Sequence, residues 1–147
     1  MAFEFRMPRR VQFAETDMAG ILHFSNYFRY MEEVEHAFFR SLGFRVHGDT
    51  RTGTFGWARR AATCDYQRPL RYEDEVELHL LVRSKSSRAI VYETRFLLAG
   101  PDGPVEVARG TITAVCVAKS DDGGLRAVAM PSEVDAAIDV APAEPLA

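Results

Sequence analysis

A single long amphipathic segment, in a chain otherwise made of strand-like runs, constrains this fold more than any other feature. From Tyr27 onward apolar residues recur at intervals of three and four, which is typical of a helix with a buried face. Ser25 or Asn26 can cap its start, and Gly43 can supply the left-handed residue that ends it. The sequence therefore predicts one nearly enclosed helix of about four and a half turns.

The rest of the chain has the pattern of strands separated by turns. Apolar and β-branched residues predict five strands, at 3–13, 56–66, 76–82, 90–98 and 105–117. Turn-forming residues separate them at 68–70, 84–87, 100–104 and 121–124. Pro8 falls inside the first strand and indicates an edge position there, because proline has no N–H to donate.

This order of elements indicates an α+β fold in which one curved antiparallel sheet wraps round the helix. The 147 residues suit one domain, which we place at 1–131. The Ala/Pro/Glu-rich residues 132–147 are expected to form a short ordered piece and a frayed, partly disordered tail. One sheet covers only one side of the helix, so the back or edge of the sheet is expected to pair with another subunit.

Charge and hydropathy narrow the class of protein. Lys plus Arg at 18 against Asp plus Glu at 21 gives −3, so no overall field draws the chain to nucleic acid. No apolar run is long enough to span a membrane, and the first residues lack a secretory signal, so we expect an unexported, cytoplasmic protein. Cys64 and Cys116 lack metal-ligand spacing, which favours free thiols and no metal site.

Candidate chemistry is concentrated in residues 15–27, directly before the helix. Two acids, one imidazole and a glycine precede a helix start whose free N–H groups can polarise a carbonyl. A carboxylate such as Asp17 can attack an acyl carbon or activate water, while backbone amides stabilise the resulting oxyanion. The spacing alone equally fits an aspartate that serves only in a turn or as a helix cap.

Several segments carry a family resemblance. Residues 11–21 read VQFAETDMAGI and residues 25–33 read SNYFRYMEE, with further matches at 65–76, 108–111 and 115–117. The specific part is Asp-x-x-Gly followed by Asn-Tyr six and seven residues after the glycine. Over roughly residues 8–131 the chain resembles the 4-hydroxybenzoyl-CoA thioesterase-like branch of the hotdog-fold acyl-CoA thioesterases.

The resemblance implies a hotdog subunit that forms a homodimer or homotetramer with active sites at the subunit interface. It assigns Asp17 as nucleophile or general base and the N–H of Phe24 as the group that polarises the thioester carbonyl. Gly20 would permit a tight approach to the substrate. No cofactor is implied, since coenzyme A is part of the substrate.

One motif position departs from the family. Many bacterial members carry Tyr-His directly before Ser/Ala-Asn-Tyr, whereas this chain has His23-Phe24, so its imidazole is shifted by one place. His23 is therefore a candidate for three roles: a hydrogen bond to Asp17, contact with the acyl group, or simple packing.

Five further residues are weaker candidates. Tyr27 is a possible substrate contact, although its spacing equally fits core packing, and Asp65 either reaches the interface site or lies on the surface. Lys85 and Arg88 are the candidate contacts for the phosphates of CoA. Glu15 is expected to be a solvated strand end.

The leading hypothesis is an acyl-CoA thioester hydrolase that releases a free acid and CoA. The alternative is a non-catalytic hotdog module that binds acyl-CoA. A hotdog dehydratase is disfavoured, because the chain lacks Gly-Asp-x-Asn-Pro-x-His. The acyl group, aryl or aliphatic, is left open, as is an acyl-carrier-protein thioester.

Overall fold

The computed structural model describes residues 1–50 and 53–146. The long helix is α1 (Phe24–Ser41), and two short helices, α2 (Ser132–Ala137) and α3 (Ala143–Leu146), follow near the end of the chain. A 3-10 turn at Phe13–Glu15 precedes α1. The strands are β1 (Glu4–Arg10), β2 (Gly48–Thr50), β3 (Gly53–Tyr66), β4 (Glu75–Lys85), β5 (Ala89–Leu98), β6 (Val105–Lys119) and β7 (Leu125–Ala127).

The strands form one sheet in the order β1-β4-β5-β6-β3-β2, and every neighbouring pair is antiparallel. β7 adds to β6 outside this path. Helix α1 contacts β1 and β4 in one half of the sheet and β6 and β3 in the other half. One helix can contact both halves only if the sheet curls round it. The predicted α+β arrangement is therefore confirmed.

The core fills the space between α1 and the concave face of the sheet. The predicted alternation in β4 and β5 is confirmed, since the inward side chains at 76, 78, 80, 82, 90, 92 and 96 are all buried. They meet the buried stripe of α1, which includes Tyr30, Met31, Val34 and Phe38. Glu35 is the unexpected member of that stripe, because its side chain is only 3% exposed.

The start of α1 differs from the prediction. The helix begins at Phe24, and the residue that caps it is His23, not Ser25 or Asn26. His23 has extended backbone (φ −60°, ψ 136°), and its Nδ1 accepts a hydrogen bond from the N–H of Ser25 at 3.3 Å. The side chain of Asn26 instead forms a hydrogen bond with a residue outside the helix. At the other end Gly43 has φ +83°, as predicted.

The first strand is shorter than predicted. β1 ends at Arg10, and the chain then turns through Phe13–Glu15, because Glu15 Oε1 accepts a hydrogen bond from the N–H of Gln12 at 2.9 Å. The edge position indicated by Pro8 is confirmed, since β1 pairs only with β4. The predicted turns at 68–70, 100–104 and 121–124 fall between strands, whereas the one at 84–87 begins inside β4, which continues to Lys85.

Residues beyond 131 contribute to the core. Ile138 is fully buried and forms a parallel bridge with Ala2, whose N–H donates to the carbonyl of Ala137 at 3.0 Å. Ala141 donates its N–H to the carbonyl of Val82 at 2.8 Å. The segment expected to fray thus lies as a strap across the end of β4. The division of the chain at residue 131 stays a prediction.

None of the helices described is both long enough and apolar enough to cross a membrane.

Candidate active site

Asp17 lies in a tight turn between the 3-10 turn and α1. Its carbonyl accepts from the N–H of Gly20 at 2.9 Å, and its own N–H donates to the carbonyl of Ile21 at 2.8 Å. Gly20 has φ +80°, a left-handed conformation that residues with a Cβ rarely adopt. A Cβ added at Gly20 would meet no atom within 4 Å. The glycine is therefore required by the turn conformation, and its role in the approach of a substrate stays a prediction.

The Asp17 carboxylate is oriented by backbone amides. Its Oδ1 accepts from the N–H of Ala19 at 2.8 Å and more weakly from the N–H of Ile21 at 3.4 Å. These bonds are local and fix the Asp17 side chain relative to its own turn. Oδ2 has no recorded partner in the described residues, which leaves one carboxylate oxygen free for chemistry.

The N-terminus of α1 supplies the complementary group. Phe24 is the first helical residue, and its N–H has no acceptor among the residues that the structure describes. The first N–H groups of a helix carry the positive end of its dipole, so such a donor favours a carbonyl oxygen that is gaining negative charge. His23 does not bond Asp17; its Nδ1 lies 2.8 Å from Ser25 Oγ, and its ring packs on Phe24 at 4.6 Å.

Asp17 and Phe24 line one cavity of about 350 Å³. Tyr27 lines it as well, so three of the sequence candidates are brought together there. The loop before α1, the end of β3 and the segment after β3 form the rest of the wall. The residues of this part of the wall are Ile21, Leu22, Tyr66, Gln67, Arg68 and Pro69.

Tyr66 is a site residue that sequence reasoning did not single out. Its hydroxyl donates to the carbonyl of Phe24 at 3.1 Å, and its ring meets Tyr27 edge-on at 4.7 Å. Burial and the neighbouring Cys64 raise the pKa of Tyr66 to about 12, so its hydroxyl stays protonated and can donate to this carbonyl. The alternation of β3 was the available signal, because it sends Tyr66 and Asp65 to opposite faces. Asp65 is exposed and does not line the cavity.

Glu15 is not the solvated strand end that we expected. Its carboxylate accepts from Arg9 Nη2 at 2.7 Å and from the Tyr30 hydroxyl at 2.6 Å, with only 17% of the side chain exposed. Burial by itself would raise the pKa of Glu15, but the hydrogen bonds from Arg9 and Tyr30 outweigh it and lower the pKa below its ordinary value.

Lys85 and Arg88 lie far from this cavity within one chain. Across the paired strands, the position of Tyr66 on β3 corresponds to that of Leu78 on β4. Lys85 lies 85 − 78 = 7 residues beyond Leu78 along β4. At about 3.3 Å per residue that is roughly 20 Å. Lys85 Nζ is engaged by the strap, at 2.9 Å from a carboxylate oxygen of Asp135. Arg88 is exposed.

A second cavity of about 680 Å³ lies towards the other end of α1. Its polar wall is formed by Glu35, which accepts from Arg59 Nη1 at 2.7 Å, and by Glu32, which accepts from Arg59 Nη2 at 3.1 Å. Trp57 and Phe55 supply much of its apolar wall. One arginine is thus shared by both of these acids.

Within the described residues no three His, Cys, Asp or Glu side chains are grouped so that they can hold a metal ion.

Comparison with known proteins identifies the family of the chain. Residues 11–138 match the model of the Thioesterase-like superfamily, which is most of the chain. The chain belongs to this superfamily. Two solved structures share its fold: a hypothetical protein from Aquifex aeolicus (31% identical, TM-score 0.77, 92% of this chain and 99% of that one), and a 1,4-dihydroxy-2-naphthoyl-CoA thioesterase from Synechocystis (20% identical, TM-score 0.79, 91% and 94%). The predicted hotdog fold is confirmed.

Two curated relatives extend the likeness. A putative esterase of Aquifex aeolicus is 48% identical over 80 residues, which is 54% of this chain and 60% of the relative's length. The 4-hydroxybenzoyl-CoA thioesterase of a Pseudomonas species is 22% identical over 135 residues, covering 90% of this chain and 96% of the relative. The branch to which the sequence motifs pointed is confirmed.

Proposed function

We propose that this thioesterase-superfamily protein hydrolyses acyl-CoA thioesters to a free carboxylic acid and CoA. The observation that carries the proposal is that Asp17 and Phe24 line one cavity and that the N–H of Phe24 has no acceptor among the described residues. A carboxylate and an amide donor are the two groups that an acyl transfer needs, one for attack and one for the oxyanion. The relatives named as CoA thioesterases support the same reaction.

In the proposed mechanism the thioester carbonyl oxygen accepts a hydrogen bond from the N–H of Phe24. The dipole of α1 then favours the negative charge that develops on that oxygen. Asp17 either attacks the carbonyl carbon, giving an acyl anhydride that water hydrolyses, or takes a proton from the attacking water. Both routes break the C–S bond, release the CoA thiolate, and consume one water. No cofactor is needed.

Residues in and next to the cavity have supporting roles in this proposal. His23 holds the start of α1 through the cap at Ser25, so it acts on the position of the Phe24 N–H. Tyr27 and Tyr66 form the aromatic wall that contacts the substrate. Tyr66 also fixes the carbonyl of Phe24, which holds that peptide in the helical orientation.

We further propose that two copies pair along β3, as a homodimer or within a homotetramer. β2 pairs only with residues 53–55 of β3, so the rest of this edge has no strand partner in the described structure. An open strand edge of this length is a template for pairing with another chain. Tyr66 and Asp65 lie at the end of that edge, which would bring the cavity to the subunit interface. Light scattering during size exclusion would test this; a monomer at assay concentration would contradict it.

Lys85 and Arg88 remain our proposed contacts for the phosphates of CoA. Because they lie roughly 20 Å from the cavity of their own chain, they would have to serve the site of a neighbouring subunit. Arg88→Glu tests this without touching the strap, whereas Lys85 substitutions also release Asp135. The KM for a CoA ester should rise while that for the matching pantetheine ester stays constant; equal changes would count against the contact.

Exchange of Asp17 for Asn tests the function itself. We expect kcat to fall by about a thousandfold or more, because a transition-state group is lost while the turn keeps its hydrogen-bond acceptor. Thiol release should be followed over short, long, aryl and hydroxyaryl CoA esters and one acyl-carrier-protein thioester. Asp102→Asn, in the exposed turn before β6, is the matched control. Binding of acyl-CoA by wild type without turnover of any ester would instead indicate a non-catalytic module.

A further inference from the structure

The loop that carries Asp17 has few apolar anchors of its own. Phe13 is 75% exposed and Met18 is fully exposed, while the nearest buried residues, Val11 and Leu22, lie at its two ends. Loops with so little buried surface open easily. Something other than hydrophobic packing must therefore hold Asp17 against the start of α1.

Glu15 is the residue through which the loop is fixed. Its carboxylate is held by Arg9 of β1 and by Tyr30 of α1, as described above. Its carbonyl accepts two more hydrogen bonds, from the N–H of His23 at 2.9 Å and from Asn26 Nδ2 at 2.9 Å. One residue thus joins the edge strand, the body of the helix and the helix start, two positions before Asp17.

Arg9 is itself held in place. Its Nε donates to Glu33 of α1 at 2.9 Å, and its guanidinium lies over the Tyr30 ring, 4.3 Å from the centroid. Only 16% of the Arg9 side chain is exposed, and hydrogen bonds shielded from water in this way are stronger than those at the surface. Burial and the bond to Glu15 raise the pKa of Tyr30, so its hydroxyl remains a donor.

We propose that Arg9, Glu15 and Tyr30 form a positioning cluster that holds the Asp17 carboxylate opposite the N–H of Phe24. None of the three lines the cavity that contains Asp17. They act through the backbone: Glu15 is fixed, Thr16 pairs with Leu22, and Asp17 follows directly. This inference rests on the proposed function, because it assigns the cluster a role in that reaction.

The test removes single atoms from the cluster. Tyr30→Phe deletes only the hydroxyl that donates to Glu15, and we expect kcat to fall between about 10-fold and 100-fold, since small misplacements of a reacting group have effects of this size. KM should stay nearly constant, because no substrate contact is lost. Tyr92→Phe is the matched control, since that hydroxyl is equally buried but bonds no described residue.

Two further measurements separate positioning from a merely structural role. If Tyr30 and Glu15 act through their shared bond, then Tyr30→Phe combined with Glu15→Gln should lower kcat no more than the stronger single substitution. Amide hydrogen exchange of residues 12–22 should become faster in Tyr30→Phe while that of β5 is unchanged. Arg9→Lys keeps the positive charge but loses the bidentate guanidinium contact with Glu15. It should therefore restore only part of the activity lost in Arg9→Met.

The possible outcomes decide between the two ideas. A Tyr30→Phe variant with wild-type kcat, even if its melting temperature falls, overturns the cluster, and so do fully additive losses in the double variant. If wild type releases no thiol from any ester, the proposed function fails. The hydrogen-exchange comparison then still shows whether the cluster holds the loop, and unchanged exchange at residues 12–22 overturns it.

Discussion

Two cavities lie along helix α1, and the acids that line them differ in how they are bonded. Near the C-terminal half the cavity is the larger, about 680 Å³, but its acids Glu32 and Glu35 are both bonded by Arg59. At the N-terminus the cavity is about 350 Å³, yet Asp17 and the N–H of Phe24 keep atoms without partners among the described residues. The smaller cavity is distinguished by a carboxylate beside a helix N-terminus rather than by free groups alone, since Trp57 Nε1 in the larger cavity also lacks a partner among the described residues.

The direction of the α1 dipole explains why the cavity at the N-terminus, and not the larger one, favours a developing negative charge. The N-terminal N–H groups of α1 attract a developing negative charge, whereas the C-terminal carbonyls repel it. An oxyanion is thus stabilised beside Phe24 and destabilised in the last turn. The acids near the middle of the helix need a cation instead, which Arg59 provides.

Of the substitutions that test this comparison, Phe24→Pro should have the largest effect on activity. Proline is well tolerated as the first residue of a helix and removes only the N–H. We expect kcat to fall between about 100-fold and 1,000-fold, the usual result of losing one oxyanion donor. The melting temperature should change little, because the backbone of His23 is already extended, as a residue before proline must be.

Phe24→Ala is the control for that experiment, since it keeps the N–H and removes the 62% exposed ring. Its kcat should stay close to that of wild type, with any change confined to KM. Equal losses of kcat in the two variants would show that the ring, rather than the amide, matters at this end of α1.

In the larger cavity, Glu35→Gln should affect the stability of the protein rather than its kcat. It leaves Arg59 without its most buried partner, so we expect the free energy of unfolding to fall by about 1–3 kcal/mol in urea titrations. Glu32→Gln, whose side chain is 54% exposed, should lose less than about 1 kcal/mol. A Glu35→Gln protein that is fully stable but inactive would place chemistry in the larger cavity.

The smallest effect concerns the pH dependence of stability through Glu15. Its folded pKa lies below the ordinary value of 4.5, so its stabilising contribution is complete above about pH 4.5 and is lost as the pH falls through the folded pKa. Wild type should therefore exceed Glu15→Gln in unfolding free energy at pH 7, and the gap should narrow towards pH 3. A gap that is constant over this range would contradict the ion pair with Arg9.

Most of the fold follows from local patterns in the sequence. The period of α1 and the alternation of β4 and β5 identify elements that bury one face, and the turns between strands carry Gly, Pro, Asp and Ser. The helix start was misplaced because histidine is an uncommon cap, and its role depends on the extended backbone at His23. The strap at Ile138 was not foreseen, since its burial depends on contacts with the first residues of the chain.

The site was predictable only in part. The family resemblance assigned Asp17, Gly20 and Phe24 to one site, and the first and last of them line the same cavity. Tyr66 and the Arg9 cluster were missed, because both depend on how β1 and β3 lie against α1. A list of local motifs does not contain those pairings between distant parts of the chain.

The bridge between Ala2 and Ile138 has a consequence for the order in which the molecule is completed. It joins residues 138 − 2 = 136 positions apart, so Ala2 meets this partner only when the segment around Ile138 is available. Contacts that close loops of this length form late and slow folding. The strap is thus expected to dock only after β1 has paired with β4.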